Sequence, residues 1–128
     1  MKHILAVIII LTSIASCKKE KETSATISGQ WRCTETNNNA KTYIIDLEKS
    51  ASTSLYAIYN FNNSGYEQMV FASYQNDSLN IELQFIGTSS ISVEGGAKIK
   101  ADKTQMQIEY LVTDASGIKE VSCNCEHL

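Results

Sequence analysis

Apolar and polar residues alternate with a period of two through most of this chain, and no proline interrupts them. Leu79, Ile81, Leu83 and Phe85 alternate with Asn80, Glu82 and Gln84; Met106, Ile108, Tyr110 and Val112 alternate with Gln105, Gln107 and Glu109. Tyr43, Ile45 and Leu47 do the same against Thr42, Asp46 and Glu48, with Ile44 as the exception. Successive side chains of a strand point to opposite faces, so this pattern describes strands with one buried and one wet face. Proline would remove ladder donors, and its absence suits long uninterrupted pairing. Turn-forming clusters separate the runs: Asn37-Asn38-Asn39, Ser50 to Ser54, Asn62 to Gly65, Asn76-Asp77, Ala101 to Lys103 and Asp114 to Gly117. No sustained helical period follows residue 25. The expectation is eight strands, at about 28–36, 41–49, 54–61, 66–74, 78–86, 90–100, 104–113 and 118–126.

Connections this short make consecutive hairpins, and eight antiparallel strands in an up-and-down meander close into a barrel without free edges. A two-sheet sandwich is the rival, but its crossings need longer connections. Gly95-Gly96 in the sixth strand predicts a bulge or sharp bend of the kind barrel corners use. Alternation places Trp31, Phe71, Leu83, Phe85, Ile99 and Ile108 inward, together with Tyr43, Tyr59 and Tyr110.

The first sixteen residues have another character. Met1-Lys2-His3 is a short basic start, and Ile4 to Ile14 is an apolar run. As a helix that run is about 16 Å long, too short for a hydrocarbon layer of roughly 30 Å. A basic start, a short apolar core and small residues at its end read as a signal peptide over residues 1–16. Ile14-Ala15-Ser16-Cys17 resembles the bacterial lipobox. That resemblance implies cleavage before Cys17 and a diacylglycerol on its thiol; the alternative is an ordinary secretory signal. Lys18 is not the aspartate that retains lipoproteins in the inner membrane, which implies the outer membrane, in its periplasmic or its surface-exposed leaflet. Residues 17–26, containing the mixed charges of Lys18 to Glu22, read as a solvated tether, and 27–128 as the barrel domain. Without Lys2, ten basic residues face fourteen acidic ones, a balance that argues against nucleic acid.

Gly29-Gln30-Trp31 resembles the Gly-x-Trp of lipocalins, whose indole closes the barrel base. Tyr43, the run Ile58 to Phe61, Gln84, Gly95-Gly96, and Tyr110 with Asp114 extend the likeness over residues 28–126, to small lipocalin-like lipoproteins of Bacteroidota. The resemblance implies a lipocalin/calycin-like barrel based on Gly29 and Trp31. The domain is shorter than a ligand-carrying lipocalin and lacks a second lipocalin motif, so ligand transport does not follow from it.

Cys33, Cys123 and Cys125 remain after lipidation. Cys123, Cys125 and His127 share one face of the last strand, which neighbours the first in a closed barrel. A zinc site on these residues is set aside, because side chains two apart on a flat strand stand about 7 Å apart, too far to chelate one ion with bonds of about 2.3 Å. His127 is also penultimate, where chains fray. A disulfide from Cys33 to either Cys123 or Cys125 suits an oxidising envelope; reduced buried thiols are the alternative. With His3 in the leader, His127 is the one mature histidine, so no Ser/His/Asp arrangement is available. Asp46, Glu48, Glu82, Glu94 and Glu109 fall on the wet face. The chain is expected not to be an enzyme and to hold no cofactor or metal.

Two functions remain. Tyr43, Tyr59 and Tyr110 are the candidate ligand-binding residues of a small hydrophobic-ligand binder; the other reading is a structural or interaction module with a packed barrel and an unknown protein partner. A 300 Å³ pocket would cost roughly 7 kcal/mol, against a whole-domain stability of about 5–15 kcal/mol. The packed interior is the expectation.

Overall fold

The computed structural model describes residues 26–37 and 40–128, so the signal peptide, Cys17 and most of the tether lie outside the described residues. Eight strands follow in order: β1 (Gly29–Glu35), β2 (Thr42–Lys49), β3 (Leu55–Tyr59), β4 (Met69–Gln75), β5 (Ser78–Phe85), β6 (Ser92–Ile99), β7 (Gln105–Asp114) and β8 (Gly117–His127). Each pairs antiparallel with the next, and β8 returns to β1, giving a closed all-β barrel in the up-and-down order. Among the described residues there is no α-helix.

Strand β7 shows how the sequence folds this way. Met106, Ile108, Tyr110 and Val112 are buried while the residues between them are exposed. Its partners repeat the pattern: Ile108 faces Ala97 on one side and Cys123 on the other, all buried. Asn76 and Asp77 both take positive φ, at 52° and 57°, as the two-residue turn between β4 and β5 requires.

The expected strand from 54 to 61 ends early. Asn60 turns left-handed at φ 57°, and Phe61–Asn63 forms a single 3-10 turn before β4. Residues Tyr66 and Glu67 form a turn instead of the start of a strand. Tyr66 is exposed, and its hydroxyl donates to the Ile44 carbonyl at 2.9 Å.

The alternation of β5 also breaks. Ile81 pairs with Gly95, but Gln84 pairs with Val93, so Glu82 and Leu83 together oppose Glu94. This bulge reverses the faces of the residues beyond it. Leu79 and Ile81 are buried as expected, but Leu83 and Phe85 turn outward at 69% and 64% exposure, and Ile86 enters the core instead. Phe71, expected inward, is likewise outside, flanked by buried Val70 and Ala72.

The bulge lies on β5 and not at Gly95-Gly96, where β6 keeps its register with β7. The glycine pair serves close approach: a Cβ on Gly95 would stand 2.2 Å from the Glu109 carbonyl oxygen. Alanine there requires the β6 and β7 backbones to separate.

Candidate functional site

At the base, Trp31 is fully buried. Its indole N–H donates to the Ile27 carbonyl at 2.9 Å, and its ring lies flat on His127, with centroids 4.4 Å apart. His127 does not fray. Its Nδ1 and Nε2 lie 3.0 Å from the carbonyl oxygens of Lys103 and Ser28, so it ties the chain's entry into β1 to the β6–β7 turn. Gly29 makes room for this: its φ is +114°, and a Cβ there would lie 3.3 Å from Nε2 of His127. Gly29, Trp31 and His127 meet at this end of the barrel, and sequence reasoning did not place His127 there.

Higher on the same wall, Cys33 forms its disulfide with Cys125, directly opposite in the β1–β8 register, with Cα atoms 4.0 Å apart. Cys123 pairs in register with Glu35 and stays a free, buried thiol. The bridge takes two of the four side chains considered for zinc. Among the described residues, no group of three or more His, Cys, Asp or Glu is placed to hold a metal.

The three tyrosines separate. Tyr43 and Tyr110 meet inside the barrel, their hydroxyl oxygens 3.3 Å apart. The Tyr110 hydroxyl donates to Asn62 Oδ1 at 2.8 Å, and the Tyr43 hydroxyl lies 3.6 Å from the Cys123 sulfur. Phe61, in the 3-10 turn, packs its ring on Tyr110 at 4.5 Å between centroids. Tyr59 is not part of this cluster. It pairs with Asp46 on the outer register and is only half-buried, because β3 ends there and its buried face is carried by Tyr56 and Ile58.

Burial pushes the hydroxyls of Tyr43 and Tyr110 well above the ordinary tyrosine range. Burial likewise raises the Cys123 thiol, partly offset by its contacts with the two tyrosines. A protonated, enclosed thiol is a poor nucleophile, so the cluster does not form an activated site. The carboxylates of Glu48, Glu82, Glu94 and Glu109 stand exposed, and Asp46 is half-buried on the same outer face.

Among the described residues, two concavities lie on the outer wall. One, of about 640 Å³, crosses β1, β8, β7 and the end of β6; the other, of about 370 Å³, continues over β7, β6 and β5. Their linings share Lys98 and Gln107. Compared with protein-family models, curated proteins and solved structures, the chain finds no match.

Proposed function

We propose that this protein is a lipid-anchored component of an outer membrane, and that its barrel is a packed, lipocalin-like interaction module. The observation that carries the module reading is the self-contained interior. Tyr43 bonds Tyr110, which donates to Asn62 and carries Phe61 on its ring, and among the described residues no buried side-chain nitrogen or oxygen lacks a partner. A carrier site presents a few polar groups to its ligand within an apolar pocket. Here the polar groups of the interior are already used, and the two concavities described lie outside. The anchor rests on the sequence: Ile14 to Cys17 after a short apolar leader, and a charged tether that would hand the chain to Ile27 at the base.

Two measurements test the two halves. Full-length protein made in a Gram-negative host partitions into detergent, and the Cys17→Ala variant does not; equal partitioning of the processed forms removes the anchor. Fatty acids, sterols, haem and retinoids leave the unfolding temperature unchanged. A ligand at one hundred times its Kd would add about 2.7 kcal/mol, a shift of several degrees, and would make the protein a small-molecule binder instead.

A further inference from the structure

The outer wall distributes charge unevenly. The chain carries a net charge of −3 and a single arginine. That arginine, Arg32, lines the larger concavity with Lys98 and Lys100, against Glu126 there and Glu109 in the adjoining concavity. Gln105, Gln107 and Asn124 fill the spaces between the cations, with the Gln107 Nε2 donating to Glu109 Oε1 at 3.3 Å. Among the described residues, none of the three cations is in a salt bridge; the one ion pair joins Lys103 to Asp77 at the base. The second concavity prolongs the trough towards β5 beside Gly96, where a Cβ would press to 2.7 Å on the Leu79 carbonyl oxygen. From β1 through β8, β7 and β6 to β5, the trough spans four strand spacings, about 19 Å.

We infer that this trough is a binding site for an extended anionic saccharide. The inference takes the barrel's outside as its working surface, as proposed above, and goes on to name what that surface receives. Arg32 presents a planar fork of donors suited to a carboxylate or phosphate, and the two lysines add point charges farther along the wall. The amide side chains each offer donors and an acceptor, which is what alternating hydroxyl and ring oxygens require. The lining contains no aromatic side chain, so the stacking platform that single-stranded nucleic acids use is missing. An extended ligand is favoured over a single small anion because the cations are spread over β1 and the far end of β6, on opposite sides of β8 and β7.

The test uses the full chain in a non-ionic detergent, titrated with a linear hexamer of galacturonic acid and, in parallel, with neutral maltohexaose and inorganic phosphate; the Cys17→Ala protein, free of detergent, is mixed with anionic phospholipid vesicles. The expected result is saturable binding of the uronate hexamer that weakens as salt rises, with no binding of maltohexaose. Arg32→Ala and the Lys98→Ala/Lys100→Ala pair each reduce affinity at least tenfold, while Lys119→Ala, an exposed lysine on β8 outside the trough, leaves it unchanged. All four residues are exposed, so folding is monitored by the unfolding temperature and should not move. Equal binding of the neutral hexamer, equal loss in Lys119→Ala, or no binding at millimolar uronate overturns the inference. Inorganic phosphate competing as tightly as the hexamer reduces the trough to a local anion contact, and capture of Cys17→Ala protein by anionic vesicles without saccharide binding makes it a membrane face; either also overturns it. None of these failures touches the anchor or the packed barrel, which detergent partitioning and thermal shift decide separately.

Discussion

Between β1 and β8 the barrel wall is joined by five residue pairs, the Cys33–Cys125 disulfide and a bond from the Leu128 N–H to the Gln30 carbonyl at 2.9 Å. Between β4 and β5 there are three residue pairs, all next to the turn. Beyond them the two strands part at the bulge, and the side chain of Gln84 fills the gap. Its Oε1 accepts from the Phe71 N–H at 2.7 Å, and its Nε2 donates to the Phe71 carbonyl at 2.8 Å. One seam joins the ends of the chain and is locked covalently; the other joins neighbours in sequence and is bridged by one amide. The difference follows from loop closure. Bringing strands 92 residues apart together costs far more chain entropy than closing a two-residue turn, so the covalent lock is where it removes most disorder from the unfolded chain.

The largest effect should come from removing that lock. For a loop of this size, the entropic contribution of the disulfide is about 4–5 kcal/mol at most, and the loss of a native bridge typically costs about 2–5 kcal/mol. Cys33→Ser is therefore expected to lower the urea midpoint strongly and to speed amide exchange in β1 and β8 before β4 and β5. Uniform acceleration would mean that the two seams open as one unit, and the contrast between them would fail.

Alkali should weaken the locked side without touching the bridge. Tyr43, Tyr110 and Cys123 lie on β2, β7 and β8, beside the closing seam, and burial raises all three above their ordinary values of 10.0, 10.0 and 9.0. Above those values the unfolded chain gives up protons that the folded one keeps. Stability is then complete below about pH 9 and falls as pH rises, by about 1.4 kcal/mol per pH unit for each group that keeps its proton. Urea unfolding between about pH 8 and pH 10.5 measures the slope. Tyr43→Phe with Tyr110→Phe should flatten it above about pH 10 while leaving the part due to Cys123 between about pH 9 and 10; an unchanged slope above about pH 10 would place the alkaline sensitivity elsewhere.

At the other seam, Gln84→Ala leaves the Phe71 N–H and carbonyl to water, an expected loss of about 1–2 kcal/mol. Gln84→Glu keeps an acceptor but loses the donor, so it should restore the N–H bond alone. Amide exchange at Phe71 should accelerate in the alanine variant and recover in the glutamate one, with Cys33 and its neighbours unaffected. Identical exchange in both variants would show that the side chain does not bridge the gap.

These two seams also mark where the sequence was readable. The strands, their order and the closing neighbours followed from alternation and short turns, because a half-buried strand writes its two faces directly into the residue order. Tyr43 and Tyr110 came out inward for the same reason. The partner of Cys33 did not: Cys123 and Cys125 share a face, and only the register of β8 on β1, which sets Glu35 opposite Cys123, decides between them. His127 looked like a fraying end because its two carbonyl partners, at residues 28 and 103, are remote in sequence. The bulge was hidden because it conserves the alternating letters while shifting their faces, and the groove was hidden because Arg32, Lys98 and Asn124 come together only once the wall curves.

The smallest expected effect tests the bulge itself. Unbroken alternation would bury Leu83 and Phe85 with Leu79 and Ile81, whereas the two-for-one pairing opposite Glu94 sets both outside. Leu83→Ser and Phe85→Ser should then change stability by no more than about 0.5 kcal/mol, as exposed substitutions do. Ile81→Ala and Ile86→Ala, two buried residues flanking the same bulge, should each cost about 2–5 kcal/mol. Chemical unfolding of the four variants in one buffer gives the answer directly. A loss of several kcal/mol in Leu83→Ser with little change in Ile86→Ala would mean that β5 runs unbulged. The side-chain bridge of Gln84 would then lose its reason, since an unbulged β5 would offer the backbone of Glu82 to Phe71 and leave no gap for an amide to fill.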